Sequence, residues 1–247
     1  MDRHLTPDRF LASWTAAGGD EFPFPLRYRT SAMWEDEHAA NLQAARAWLH
    51  ETPDPALDDA MRRLLTGEVA VEVYGRSTDP TCEVFVRAAA TGEQAVLARQ
   101  APAAGDIRIT TTTDLAGAIV GHLPVVAAGR EHARTAPSRD VLEPSEFGAV
   151  RHPAGGTYAE SLRRLLRRER SATGSIRVLR YSNPGYTAVA DIGWFDVVGD
   201  GRYLFLPGPE LRVAPGTVDA FVRELSAQLS RVRKPSHEGR SGVLRRQ

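Results

Sequence analysis

Seven histidines, one cysteine and 31 Asp or Glu residues are the groups from which a hydrolytic or metal site would have to be built. The histidines (His4, His38, His50, His122, His132, His152, His237) include no pair four apart. H-E-x-x-H is absent, so one helix face cannot supply two imidazoles to zinc. No serine lies in G-x-S-x-G, which removes the nucleophile elbow. Cys82 opens a strand with no histidine beside it and reads as a small buried hydrophobe; one cysteine also forms no intrachain disulfide, as in a reducing compartment. Gly199-Asp200-Gly201 lacks the third glycine of a phosphate loop and precedes a strand, so it reads as a hairpin turn. The sole lysine, Lys234, is far from any Walker position. Asp191 and Asp196, five apart on a strand, face opposite sides and cannot pair as acid and base; a water-facing strand edge or hairpin end is the expectation for both. The residue types thus predict no catalytic set, no cofactor and no metal.

The arginines need separate weighing. Arg163, Arg164, Arg167, Arg168 and Arg170 form a basic run that could hold a nucleic acid. It has no interleaved aromatics and no helix-turn-helix or RNP pattern beside it, so a solvated helix face is the better reading. Net charge is +0, but this is a cancellation: residues 1–150 carry −8 and residues 151–247 carry +8. With 42% hydrophobic and 25% charged residues the chain can bury a core. Nothing approaches the ~18 apolar residues of a membrane helix, and no apolar signal core follows Met1, so a cytoplasmic protein without membrane insertion is expected.

Around these residues the pattern predicts helices first. Thr6 caps a helix entered at Pro7, with Phe10, Leu11, Trp14 and Ala17 on one face. Phe22–Arg29, with alternate prolines, is extended. Ser31 is the expected cap of a second helix through Trp34, His38, Leu42, Ala45 and Leu49, and Leu57, Met61 and Leu64 stripe a third. Strands follow at Val69–Val73, Val84–Ala88, Gln94–Arg99 and Asp106–Thr110, then a helix over Asp114–Leu123. Residues 124–155 read as a long connection with a short helix near Val141–Phe147. Thr157–Glu160 is a capping box. Further strands are expected at Ser175–Tyr181, Tyr186–Val198, Tyr203–Leu206 and Leu211–Ala214, before a last helix on Val218, Phe221, Val222, Leu225, Leu229 and Val232. Residues 234–247 are expected to form a disordered basic tail.

Asp106-Ile107-Arg108-Ile109 leading to Leu115 and Ile119 is similar to Glu210-Leu211-Arg212-Val213 leading to Val218 and Phe221. The likeness is either an internal duplication, with two meanders sharing one sheet about a pseudo-twofold, or the common look of strand–turn–helix units. The expected organisation is one α+β domain over 1–233, with halves of about 1–123 and 156–233 joined by 124–155. More amphipathic helices flank the sheet than two faces can hide, so some apolar surface is left for a partner.

The order of several short motifs resembles the EspG family of type VII (ESX) secretion chaperones from actinobacteria. They are Leu5-Thr6-Pro7-Asp8-Arg9-Phe10 with Trp14, Phe22-Pro23-Phe24-Pro25-Leu26, the helix from Glu35 to Leu49, and the strand Glu68–Val73. Glu93–Ala98, Asp114–Pro124, Gly193-Trp194-Phe195-Asp196 and Gly201-Arg202-Tyr203 complete the set. The resemblance spans roughly residues 5–232. It implies a central, mostly antiparallel sheet with quasi-twofold symmetry, flanked by helical bundles. It also implies a cytoplasmic, non-catalytic adaptor that binds the apolar tip of a helical client and keeps it soluble before export. The implied client is a PE–PPE heterodimer or another helical hairpin of the WXG type. By topology the implied partner-facing residues are the hairpin loop Ser77, Thr78, Asp79, Pro80 and Thr81, the exposed sheet, and Phe221, Leu225 and Leu229 of the last helix. A homodimer through the same surface is possible on this reading, and a nucleic-acid-binding regulator using the arginine helix and tail is the alternative.

Overall fold

The computed structural model describes residues 1–30, 32–142 and 157–233. In chain order the first half holds β1 (Asp2–Leu5), α1 (Pro7–Ala16), α2 (Glu35–Glu51), α3 (Pro55–Thr66), β2 (Val69–Ser77), β3 (Val84–Thr91), β4 (Gln94–Gln100), β5 (Ile107–Thr112) and α4 (Leu115–Val120). The second holds β6 (Arg134–Pro137), α5 (Ser138–Leu142), α6 (Tyr158–Leu166), β7 (Arg170–Ser182), β8 (Gly185–Val197), β9 (Gly201–Leu206), β10 (Glu210–Pro215) and α7 (Val218–Arg233).

Local chemistry sets most of the helix starts. The extended Thr6 accepts from the Arg9 amide at 3.3 Å, and Pro7, which has no amide hydrogen to lose, occupies the first turn of α1. Asp54 accepts from the amides of Ala56 and Leu57 before α3. Thr157 and Glu160 close the capping box of α6 in both directions. The expected cap Ser31 lies outside the described residues; α2 follows an extended Trp34 that offers no side-chain cap. The basic tail from Lys234 and residues 143–147 of the expected short helix also lie outside them.

Among the described residues all ten strands join one sheet in the order β1-β5-β4-β3-β2-β7-β8-β9-β10-β6, and each of these strand pairs is antiparallel. The order maps onto itself when β2 exchanges with β7, β3 with β8, β4 with β9, β5 with β10, and β1 with β6. Helices obey the same exchange: α1 follows β1 as α5 follows β6, and α4 follows β5 as α7 follows β10. The likeness between residues 106–119 and 210–221 is therefore β5–α4 set against β10–α7. The dyad lies on the β2–β7 seam, which is paired from Val69↔Arg180 to Ser77↔Ala172.

Two expectations change. A strand precedes the helices, since Asp2–Leu5 pairs with β5. The stretch 124–155 contains a strand as well as a short helix: β6 pairs with β10 and α5 follows it, ahead of the expected start at Val141, so the second repeat starts by Arg134. Each edge strand has four residues and one hydrogen-bonded neighbour, and each buries one side chain, Leu5 or Ala136. Such strands carry no alternation to read.

On one face of the sheet, Val69, Val71, Val73, Ile176, Val178 and Trp194 pack under α4 and α7. The other face is covered in two separate places. Ala70, Phe85, Ala89, Val96 and Ile107 lie with Phe10, Trp14, Leu57, Met61 and Leu64 of α1 and α3. Phe195, Val197, Tyr203, Leu211 and Val213 lie with Val141, Leu162 and Leu165 of α5 and α6. Each such fully buried aliphatic side chain contributes about 1.5–3 kcal/mol relative to exposure. Between the two helical groups the middle of that face carries charged residues.

Candidate partner interface

The loop from β2 to β3 is exposed and fastened from within. The Asp79 carboxylate accepts from the Thr81 amide at 2.9 Å, from the Thr81 hydroxyl at 2.7 Å and from Cys82 Sγ at 3.7 Å. These bonds favour the ionised form, and the Thr81 hydroxyl does most to hold the Asp79 pKa below the ordinary carboxylate value. The Asp79 amide donates to Ser77 Oγ at 3.1 Å, and the Thr78 amide donates to the Ser171 carbonyl at 2.8 Å, which ties the loop to β7. Thr78, Asp79, Pro80 and Thr81 are exposed and Ser77 partly so. Cys82, expected to be buried, is exposed in the short 3-10 turn Pro80–Cys82, because that turn forms before β3 enters the core.

The three helix residues named from sequence behave differently. Phe221, Leu225 and Leu229 are 1%, 0% and 5% exposed, packed on the sheet in the cluster that contains Val71 and Trp194. Their stripe is real, but the sheet already covers it, so they form core and offer no surface in this state. Loop and stripe are not brought together as one patch.

Sequence reasoning missed a row of charges across the uncovered centre of the sheet. Register places Arg87 (β3) beside Glu72 (β2), Glu72 beside Arg177 (β7), and Arg177 beside Asp191 (β8). Arg87 bonds Glu72 at 2.6 Å and lies 4.8 Å over the Tyr186 ring, while Arg177 and Asp191 stand 3.8 Å apart and are exposed. Burial raises the pKa of Glu72 against the pull of Arg87, burial also raises that of Asp191, and burial lowers that of Arg87. Each residue occupies a polar position of its strand; only register joins them, and no sequence spacing encodes it.

Asp196 corrects another expectation. It is buried and bidentate with buried Arg202, at 2.7 Å from Nε to Oδ1 and 2.8 Å from Nη2 to Oδ2, and Arg202 also donates to the Pro124 carbonyl. Asp191 and Asp196 do face opposite sides, as strand period requires. The Gly199–Gly201 turn is a hairpin turn, with Gly199 at φ +72°, and Asp200 within it accepts from Arg168, the Arg130 amide and Tyr203 Oη. Much of the arginine run is engaged inside the molecule. Arg168 pairs with Asp200, Arg170 lies 4.8 Å over Phe195 and donates to the Leu166 carbonyl, and Arg163 has its Nε buried. Arg164, Arg167 and Arg170 are the exposed arginines of α6 and its exit, which is a small face for a phosphate backbone. Among the described residues no group of His, Cys, Asp or Glu is placed to hold a metal, and no helix is long and apolar enough to cross a membrane.

The fold and this surface define an α+β protein built on a duplicated antiparallel sheet that leaves a fastened loop exposed, with Arg177 and Asp191 at one end of the charged row. The chain belongs to the EspG family, whose model matches residues 6–227. Among solved structures it is similar to the Mycobacterium tuberculosis type VII secretion system chaperone EspG5, determined in complex with a PE25–PPE41 dimer. The two share a TM-score of 0.64 at 14% sequence identity, over 93% of this chain and 96% of that one, a likeness of fold. No curated protein matches the sequence significantly.

Proposed function

We propose that the protein acts by binding, as a cytoplasmic chaperone that holds the tip of a helical type VII secretion client, of the PE–PPE or WXG kind, before export. The family match over residues 6–227 carries this reading. The surface supports it: the loop Ser77–Thr81 is exposed and held in shape, so ordering it on a client costs little conformational entropy. The client contact is assigned to that loop and to the open sheet centre at Arg177 and Asp191. Phe221, Leu225 and Leu229 support it from inside the fold.

Co-expression with a PE–PPE heterodimer and, separately, with a WXG-type hairpin, followed by size-exclusion chromatography, is expected to yield a complex with one of them. Thr78→Arg is expected to weaken that complex about tenfold with an unchanged melting temperature, because Thr78 is exposed and only its main chain is bonded. No complex with either client removes the proposal; equal loss of binding and stability in the variant removes the loop from it.

A further inference from the structure

A cavity of about 460 Å³ lies beside the loop just described, between the extended segment Arg27–Arg29 and the turn at Ala103 and Ala104. Buried Phe85 lines it, with Glu83. We propose that this cavity receives a carboxylate side chain, flanked by apolar residues, from a helical protein partner. The identity of the partner as a secretion client rests on the chaperone reading; the carboxylate chemistry rests on the cavity alone.

Arg27 is the residue that selects for charge. Its guanidinium sits 4.6 Å over the Phe85 ring and 5.6 Å over the Tyr74 ring, and Nη2 donates to Tyr74 Oη at 3.0 Å. Aromatic faces and a neutral hydroxyl fix its position without neutralising it. Among the described residues, neither Arg27 nor Arg29 has a carboxylate within ion-pair distance. The one acid in the lining, Glu83, has Arg76 at 3.8 Å. Two arginines therefore line the cavity beside one carboxylate that Arg76 already shares. A planar fork matches the two oxygens of a carboxylate, and the aromatic floor beneath it holds the fork in place.

The walls are built to hold their shape. Gln100, 1% exposed, accepts from the Arg27 amide at 2.7 Å and donates back to the Arg27 carbonyl at 2.7 Å and to the Gly105 carbonyl at 3.3 Å. One buried amide thus ties the arginine segment to the opposite wall. That wall keeps two consecutive alanines at φ +60° and +57°, a left-handed backbone that alanine adopts only at an energetic cost. The bonds Gly105 N–H to the Ala101 carbonyl and Ala101 N–H to the Asp106 carbonyl hold them there. Strain kept in place by surrounding bonds is a recurring property of ligand clamps. The turn Pro102–Ala104 packs against Pro80–Cys82, so the cavity continues the loop assigned to the client.

The test uses the full chain labelled with nitrogen-15 and follows the arginine Nε–Hε signals. The probe is a helical peptide of Ala, Leu and Gln of about 20 residues whose one charge is a central Glu, with a control peptide in which that Glu is Gln. The Arg27 signal is expected to shift saturably with the Glu peptide, and the control is expected to bind about tenfold more weakly. Arg27→Gln should abolish the shift pattern at neighbouring amides. Glu83→Gln, which removes the competing charge and leaves Arg27 on its aromatic floor, should tighten the Glu peptide about threefold. Equal affinity for the two peptides, an Arg27 signal that does not move, or weaker binding in Glu83→Gln overturns the proposal, even should Arg27→Gln not fold. A positive titration alongside failed co-elution with both clients would remove the chaperone reading and keep the carboxylate pocket. The reverse pair of results would keep the chaperone and remove the pocket.

Discussion

At the scale of single residues, the Asp196–Arg202 pair shows how little of a site a local pattern reveals. An aspartate on an alternating strand near a hairpin normally faces water. Here its partner is six positions on, across the 198–200 turn, and both are at most 5% exposed. Removing one member of a buried pair leaves the other charge unsolvated, so Asp196→Ala is expected to cost about 3–5 kcal/mol in urea unfolding. The double variant Asp196→Leu with Arg202→Met should recover part of that loss, because no buried charge is left alone. His122 gives the pH dependence. Burial, with Arg99 and Arg108 nearby, lowers its pKa from 6.5. The folded state therefore resists a proton that the unfolded chain accepts, and stability is lost as pH falls below about 6.5 toward the lowered value. A series of melting temperatures against pH should show a shallower fall across that window in His122→Asn; identical profiles would show that His122 does not couple to folding.

Elements were legible in proportion to how much of their cause is local. The caps at Thr6 and Thr157, the stripe Leu57–Met61–Leu64 and the alternation Val69–Val71–Val73 each appear in the structure as the pattern implies. Edge strands β1 and β6 did not, since pairing at a sheet margin, not side-chain period, creates them. The stripe Phe221–Leu225–Leu229 was readable as a stripe, but its assignment to core or to interface depends on what packs over it. The charge row Arg87–Glu72–Arg177–Asp191 depends on register alone. Asp54 joins the local and the distant: one oxygen caps α3, while the other accepts from Arg3 Nε of β1 at 2.7 Å. Asp54→Ala should therefore cost about 1–2 kcal/mol and loosen the β1 edge. Hydrogen exchange should show faster exchange at β1 amides paired with β5 as well as in the first turn of α3. Exchange confined to α3 would show that the Arg3 contact carries nothing.

For the whole molecule, the seam between β2 and β7 decides whether two similar halves behave as one. Gly75 and Gly174 face each other across that seam, and Gly174 pairs onward with Trp194 of β8. A Cβ on Gly174 would lie 2.1 Å from the Trp194 ring and one on Gly75 2.7 Å from it, so the two glycines cut the slot that the ring fills. Trp194 in turn belongs to the core that α4 of the first half and α7 of the second share. Neither half can bury this face alone. Burial raises the pKa of Glu72, in the acidic half, and across the same seam Arg177, in the basic half, opposes part of that rise. With Trp14, Trp34 and Trp48 replaced by Phe, the remaining fluorescence reports on the seam. Its urea transition is expected to coincide with loss of the far-ultraviolet dichroism of the whole chain. Gly174→Ala should overfill the slot, cost about 1–3 kcal/mol and shift both curves equally. Two separated transitions would mean that the halves unfold independently and that the duplicated sheet is joined only by adjacency. A single shifted transition ties its stability to the pair of glycines at its axis.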